Sequence, residues 1–430
     1  MALNWHLTLP TEKSHPDFPL WRLGYTPQQV YDLFFPEEFR FLCNPKRPSV
    51  CGRFGQAGDR LWRFEFVVGK GEDPHQMASP EETRKIIYPY ITHPGSRYGL
   101  SQPVRYPEDC IATLRSRPFW FSARSCNKWA LGRVILAGDA AHVFPPFGGQ
   151  GIASGFRDAS GLAWRLALLC RDSSLDHEDA LKGWYIERKQ QLERSLALTI
   201  RNGEYVTEGD FFKAFVRDWS LWLMQLVPSW RREIEKGPRA GGMIRYKHED
   251  GFPFIPQLGG GILMPQVYAR KFNDAKLTFT DDIIFAETKQ GLFQLVIFLR
   301  TAKEVEQALV DLKAVNQYSP SQLQFEEATI LIQDVEAEPL SAVSDANIAR
   351  IATGEEFAAD PILCKGRPEP KYYDEHRMWS EMQQKRYVIV RSDRFVYAAC
   401  NDRSELIFAL KELSALHNGR NEQAAFPSKL

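Results

Sequence analysis

The chain has 430 residues, enough at about 150 residues per domain for two or three domains with substantial hydrophobic cores. Its 54 basic residues are balanced by 54 acidic ones, so it lacks the basic footprint of a nucleic-acid or anionic-membrane binder, and small molecules or proteins are the expected partners. With 44 % hydrophobic and 13 % aromatic residues it is too apolar for a disordered chain.

The opening residues hold His6, Pro10, Glu12, Lys13, His15, Pro16 and Asp17 and no apolar core, so they do not read as a signal peptide. No stretch reaches the run of about 18 apolar residues that a membrane span needs. Cys43–Pro48 reads as a turn, and residues 61–68 alternate apolar with charged residues as a half-buried strand does. Two further strands are expected at Phe119–Ala123 and Val134–Ala137. The second, wholly apolar, reads as a central strand covered on both faces. The period then changes to helical from Ile152 to Leu169, with more helix from Glu178 to Leu198.

A Trp-rich stretch follows. Trp219, Trp222 and Trp230 with the leucines between them are read as core packing or a homodimer contact in preference to a membrane-surface anchor. Arg239–Gly242 and Gly259–Gly261 mark a domain boundary. Beyond it strands (293–299, 329–335, 387–390, 395–399) alternate with helices (302–314, 403–416), as in a small α/β domain.

Seven cysteines occur at Cys43, Cys51, Cys110, Cys126, Cys170, Cys364 and Cys400 without a Cys-x-x-Cys pair, which suits a reducing, cytoplasmic setting. Nine scattered histidines lack zinc-site spacing, so no metal is expected. Asp281 and Asp282 are adjacent, point apart and read as surface residues. Arg105, Tyr106 and Arg115 fit either an acidic substrate or solvated strand charges.

Residues 132–159 concentrate the functional information. A strand delivers Asp139 to its carboxyl end, where ligands of α/β sheets bind and where a carboxylate can accept hydrogen bonds from hydroxyl groups. Pro145 and Pro146 stiffen the loop, and Gly148, Gly149 and Gly151 around Gln150 let backbone approach a flat ligand. The first N–H groups of the helix that follows lack internal partners and sit at the positive end of its dipole. Each device alone is a common turn feature, and their order together carries the reading. His142 reads as support for the loop. No catalytic side chain is assigned.

The same segment resembles the Gly-Asp fingerprint of FAD-dependent aromatic monooxygenases of the para-hydroxybenzoate and phenol hydroxylase type. Asp158-Ala159-Ser160-Gly161-Leu162-Ala163-Trp164-Arg165-Leu166 is similar to that family's Asp-Ala-x-Asn-Leu-Ala-Trp-Lys-Leu. Arg63-Phe64-Glu65-Phe66 with Glu72-Asp73, and Tyr185-Ile186-Glu187-Arg188, resemble the hydroxyphenylpropionate hydroxylase branch. So do Gly261-Ile262-Leu263-Met264-Pro265-Gln266 and Arg391-Ser392-Asp393-Arg394-Phe395-Val396, which in that branch belong to a thioredoxin-like C-terminal domain. The resemblance implies an α/β (α+β) chain with a partial FAD-dependent hydroxylase fold. Residues 1–110 would form a β-rich part of a mixed-sheet substrate domain, and 111–250 the C-terminal half of the FAD-binding domain with its helices. Residues 251–430 would form the thioredoxin-like domain, structural because it lacks Cys-x-x-Cys.

It further implies that Gly138 and Asp139 face FAD, Asp139 on the ribityl chain. Pro145 and Pro146 would line the flavin and substrate face, and Gly149, Gln150, Gly151 and Ile152 would offer N–H groups to the flavin's pyrimidine edge. The expected activity is hydroxylation of a phenolic or other small aromatic molecule with NAD(P)H and O2. The family's Gly-x-Gly-x-x-Gly turn and later Asp-Gly motif are absent in that arrangement, so the sequence reads as lacking the amino-terminal third. The alternatives are a degenerate, non-redox homologue that binds an aromatic ligand or a protein, and a cofactor-free enzyme using the same cavity.

Overall fold

The computed structural model describes residues 1–173, 175–232, 234, 245–249, 253–272, 276–334, 347–360 and 373–415. They fall into two compact units, one built from residues 1–124, 144–149 and 196–235, the other from 125–143, 150–195 and 236–430.

The first unit is organised by a five-stranded antiparallel sheet in the order β2-β3-β4-β1-β7. Its strands are β1 (Ala2–Leu7), β2 (Arg40–Leu42), β3 (Ser49–Phe54), β4 (Leu61–Phe66) and β7 (Ile111–Arg117), with a small pair β5 (Thr92–His93) and β6 (Val104–Arg105) beside them. The alternation expected around residue 61 is present: Trp62, Phe64 and Phe66 point into an aromatic core shared with Leu3, Trp5, Phe35 and Tyr106. The other face of β4 carries Arg63 and Glu65. Helix α1 (Pro27–Phe34) starts where Thr26 and Gln29 cap each other reciprocally, and α2 (Pro80–Ile87) starts on Ser79. Buried Val30, Tyr31, Phe34 and Ile87 join both helices to the same core.

Helix α5 (Phe211–Leu226), capped by Asp210, corrects the expectation of core packing for the Trp-rich stretch. Phe211, Phe215, Trp219 and Trp222 are exposed, whereas Arg217 is buried and donates to the carbonyls of Cys43 and Tyr205 at 2.7 and 3.0 Å. The strand expected at Phe119–Ala123 is also absent. Pro118 removes a ladder donor there, and the aromatic run stays irregular and exposed.

In the second unit the strands are β8 (Arg124–Ser125), whose second residue belongs here, β9 (Ala130–Leu131), β10 (Val134–Ile135), β11 (His142–Val143), β12 (Tyr268–Lys271) and β13 (Leu277–Phe279). Then come β14 (Phe293–Leu299), β15 (Thr329–Ile332), β16 (Ile348–Ile351), β17 (Tyr387–Arg391) and β18 (Val396–Cys400). A seven-stranded mixed sheet runs β13-β12-β16-β15-β14-β17-β18. In it β14 and β15 are parallel and joined through helix α7 (Val305–Val315), after α6 (Thr280–Ile284). Helices α8 (Gly354–Ala359) and α9 (Arg377–Glu381) precede the antiparallel hairpin β17–β18, and α10 (Arg403–Ala415) closes the chain's described part.

A parallel β-α-β unit followed by an antiparallel hairpin and a helix is the thioredoxin-like arrangement. Leu295, Ile297 and Leu299 of β14 face one core with α7 and α10, while Val296 and Phe298 face another with α6 and α9. Cover on both faces explains the unbroken apolar run Leu295–Leu299 within β14. Gly259–Gly261 is packed against this sheet, with the Gly261 N–H on Val396 O at 2.9 Å, while Arg239–Gly242 lies outside the described residues.

Helices α3 (Gln150–Arg171) and α4 (His177–Val206) fulfil the helical period, α4 passing from the second unit into the first after Ser195. The apolar run Val134–Ala137 does not become a central strand. Only two of its residues form a ladder, paired to β9, and Val134 is 67 % exposed. Four apolar residues specify a buried strand only when ladder partners flank both edges, and among the described residues β10 has one.

Candidate functional site

In the second unit the fingerprint forms a turn rather than a strand end. Gly138, at φ +57°, opens a short 3-10 turn, Gly138–Ala140, that carries Asp139, and its Cα lies close to Gly155 of α3. A Cβ at Gly155 would stand 3.6 Å from the Gly138 Cα, in ordinary contact, so the turn and the helix pack closely here, while the positive φ of Gly138 is what requires glycine.

Asp158, one helical turn beyond Gly155, organises what lies beneath. Its fully buried carboxylate accepts from the Gly138 N–H (2.9 Å), from His142 Nε2 (2.7 Å) and from Arg188 Nε of α4 (2.8 Å). Arg188 also donates to Ser154 and Gln191. Burial works against the ionised Asp158. The His142 hydrogen bond, the Arg188 charge and the Gly138 N–H outweigh it and hold the carboxyl below its ordinary value. One buried acid thus ties down the residue before Asp139 and a residue three beyond it. His142 supports the loop through this bond.

Above this post the chemistry is exposed. The Asp139 carboxylate faces solvent and makes no hydrogen bond to a described residue. Gln150, Gly151 and Ile152 form the first turn of α3, where N–H groups lack intrahelical acceptors. A Cβ at Gly151 would meet open space, and Ile152 is exposed. An acceptor for hydroxyl groups beside a helix N-terminus able to face a flat, charge-accumulating ring fits the donor and acceptor pattern of a flavin.

Pro145, Pro146 and Gly149 belong to the first unit. Gly148 and Gly149 sit at φ +140° and +60° and both donate to Pro146 O, so the loop closes on itself through glycine-specific backbone. Pro146 and Phe147 line a cavity of about 320 Å³ in this unit, with Val50, Glu65 and Phe66 on one side and Phe119–Phe121 on another. The lining is apolar and aromatic apart from Ser49, Thr207 and Glu65. Burial pushes the Glu65 carboxyl up, partly offset by Arg63 and the Met1 amino group. The segment 119–121, read from sequence as a strand, is therefore cavity wall. Glu65 was legible only as part of a strand motif, since ring contacts come from distant loops.

Two other polar clusters were not foreseen. Glu187 is wholly buried against Arg391 (2.7 and 2.9 Å) and Arg165 (2.8 Å), and Arg391 also pairs with Asp393. This network and the Trp164 Nε1 to Asp393 bond (2.9 Å) fasten α3 and α4 to the thioredoxin-like sheet. In the first unit His15 Nε2 meets Asp109 Oδ1 at 3.0 Å with Cys110 Sγ 4.0 Å away, donors of metal-binding type brought together from distant sequence. Burial pushes the Cys110 thiol up to about 11, so without a metal it is not a thiolate. Asp281 corrects the surface reading: it is mostly buried beside Arg394 (2.9 Å), while Asp282 is exposed. Arg115 is half-buried on β7, in register with Asn4.

Residues 111–194 match the model of a family described as an FAD binding domain. The chain is 31 % identical over 229 residues to a 3-(3-hydroxy-phenyl)propionate/3-hydroxycinnamic acid hydroxylase of Escherichia coli strain K12. That alignment covers 53 % of this chain and 35 % of the relative, so the match spans about a third of the relative's length. Among solved structures, a complex of aklavinone-11 hydroxylase with FAD and aklavinone is similar at 16 % identity and a TM-score of 0.49, covering 96 % of this chain and 62 % of that one. CabE, an aromatic hydroxylase from angucycline biosynthesis, is similar at 18 % identity and a TM-score of 0.43, covering 93 % and 60 %. No helix among the described residues is long and apolar enough to cross a membrane.

Proposed function

Because the chain belongs to the FAD-dependent aromatic monooxygenases, we propose that it provides flavin-facing and substrate-facing parts of an enzyme that hydroxylates a phenolic small molecule. In this reading residues 1–110 are substrate-domain β-structure, 111–250 the C-terminal half of the flavin domain and 251–430 a structural thioredoxin-like domain. Asp139 accepts hydrogen bonds from the ribityl hydroxyls of FAD, and the first N–H groups of α3, from Gln150 to Ile152, face its pyrimidine edge. Pro145, Pro146 and Gly149 hold the loop that adjoins the ring. FAD, reduced by NAD(P)H, would supply the oxygen-activating chemistry. The protein's tasks are to hold Asp139 still, to keep the helix N-terminus aimed at developing negative charge, and to exclude water from the ring that is attacked.

The observation that carries this reading is the exposed Asp139 on a turn fixed from beneath by Asp158. The experiment is a titration of the purified chain with FAD, followed by visible absorbance and melting temperature, and then NAD(P)H consumption with phenols. A flavin band and a raised melting temperature are expected. Asp139→Ala should weaken FAD binding about tenfold, the loss of one or two hydrogen bonds of ordinary strength. A folded chain indifferent to FAD would favour the non-redox alternative.

A further inference from the structure

Resting on the hydroxylase reading above, we propose that the cavity of the first unit receives the aromatic substrate and selects neutral, multi-ring hydroxyarenes over phenols bearing a carboxylate, and that Glu65 sets this choice. The first reason is charge. Among the described lining residues Glu65 is the one with an ionisable side chain other than a hydroxyl, no Arg, Lys or His is present, and the lining's cation is the Met1 amino group. A ligand carboxylate there would place a second anion in a largely apolar enclosure whose one cation, the Met1 amino group, already interacts with Glu65.

The second reason is an unmet hydrogen-bonding capacity. Glu65 sits on β4 with Ala2 and Val50 opposite it in the neighbouring strands, and neither offers a side-chain donor. Its side chain is 15 % exposed, Arg63 approaches no closer than 3.9 Å, and the Arg63 Nε–H is given to Asn4 Oδ1 at 3.0 Å. The Met1 amino group donates to Phe66 O at 2.8 Å. No described residue donates a hydrogen bond to the Glu65 carboxylate, so its oxygens are open to a ligand hydroxyl. Arg117 lies outside the lining with its guanidinium 6.0 Å from the Phe119 ring centre.

Size and surface supply the third reason. A cavity of about 320 Å³ is larger than the roughly 150 Å³ that a single benzene occupies in an engineered protein cavity. Phe147 and a 75 %-exposed Trp120 offer flat apolar faces with which further rings can stack.

The test is calorimetric titration of the flavin-free chain with three probes: phenol, 2-naphthol and 6-hydroxy-2-naphthoate. We expect 2-naphthol to bind about tenfold more tightly than either of the others, and Trp120→Ala to weaken it. Glu65→Gln should bring the naphthol and the naphthoate within about threefold of each other, chiefly by improving the naphthoate, while Arg117→Ala leaves their ratio unchanged. Naphthoate binding as tightly as naphthol in the unaltered chain overturns the proposal, whether or not Glu65→Gln folds. An unchanged ratio in folded Glu65→Gln, or no heat with 2-naphthol, overturns it as well. FAD takes no part, so normal naphthol selectivity in a chain that fails to bind FAD would sink the hydroxylase reading alone.

Discussion

Val134–Ala137 and Leu295–Leu299 are both unbroken apolar runs in the second unit, and they have opposite fates. The longer run lies within β14, held between β15 and β17 and buried on both faces. The shorter became a two-residue ladder against β9 with its valine in solvent. Apolar composition sets the tendency to be a strand, but ladder partners on both edges decide whether that strand is buried. Substituting the same residue in each run breaks or sharpens this contrast. Val296→Asp puts a charge where exposure is 0 % and should cost about 4 kcal/mol or more, enough to prevent folding of a domain stable by about 5–15 kcal/mol. Val134→Asp should stay within about 0.5 kcal/mol. Denaturant melts of both variants decide it, and equal losses would mean that Val134 is covered in solution.

The two buried ion networks draw the same contrast in charges. Glu187 neutralises two arginines that fasten helices to the sheet, so Glu187→Gln leaves Arg165 without its carboxylate and Arg391 with Asp393 alone, and should cost about 3 kcal/mol. Asp158 instead serves the exposed turn. Asp158→Asn keeps an acceptor but loses the charge opposite Arg188, for which about 2–3 kcal/mol is expected, together with weaker FAD binding from a loosened Asp139. The distinguishing measurement is FAD affinity in variants that remain folded at low temperature: Glu187→Gln should leave it near normal, and Asp158→Asn should not. The Asp158 carboxyl is held below its ordinary 3.8, so its contribution is present at neutral pH and fades as pH falls below that value. Acid melts of Asp158→Asn should lack that part of the slope.

Much of this was legible in the sequence, for reasons that differ by region. The period-two pattern of β4 and the helical period of α3 report local burial, which a chain writes residue by residue. The Pro145–Pro146 and glycine loop was legible because prolines and glycines set backbone wherever they stand, whereas Asp139, expected at a strand end, stands on a 3-10 turn. The hub at Asp158 was visible only as a motif resemblance, because its partners Gly138, His142 and Arg188 are joined by folding and not by spacing. The cavity wall at 119–121 was misread because aromatic runs look like strands until Pro118 is weighed against them. The exposed face of α5 was misread because apolar helical residues are normally buried, and sequence cannot say when they are not.

Asp281 offers the smallest and most specific test. Adjacent acids on a turn look solvated, and Asp282 is, but the Asp281 side chain is buried under the thioredoxin-like sheet beside Arg394. Burial dominates, Arg394 opposes it and Asp282 adds to it, and the carboxyl is pushed up to about 6. An acid whose folded value exceeds its unfolded one binds more protons in the native state between the two, so stability falls as pH rises through that interval. The window runs from the ordinary 3.8 to about 6, with no further loss above it. Asp158 and Glu187 act with the opposite sign and at lower pH, because both are held below their ordinary values. Burial pushes the His93 imidazole down to about 4, which raises stability with pH over the same interval, so the slopes must be compared: in urea melts between pH 4 and 7, Asp281→Asn should gain stability with rising pH more steeply than the native chain. Identical slopes would return Asp281 to the solvated surface where its neighbour stands.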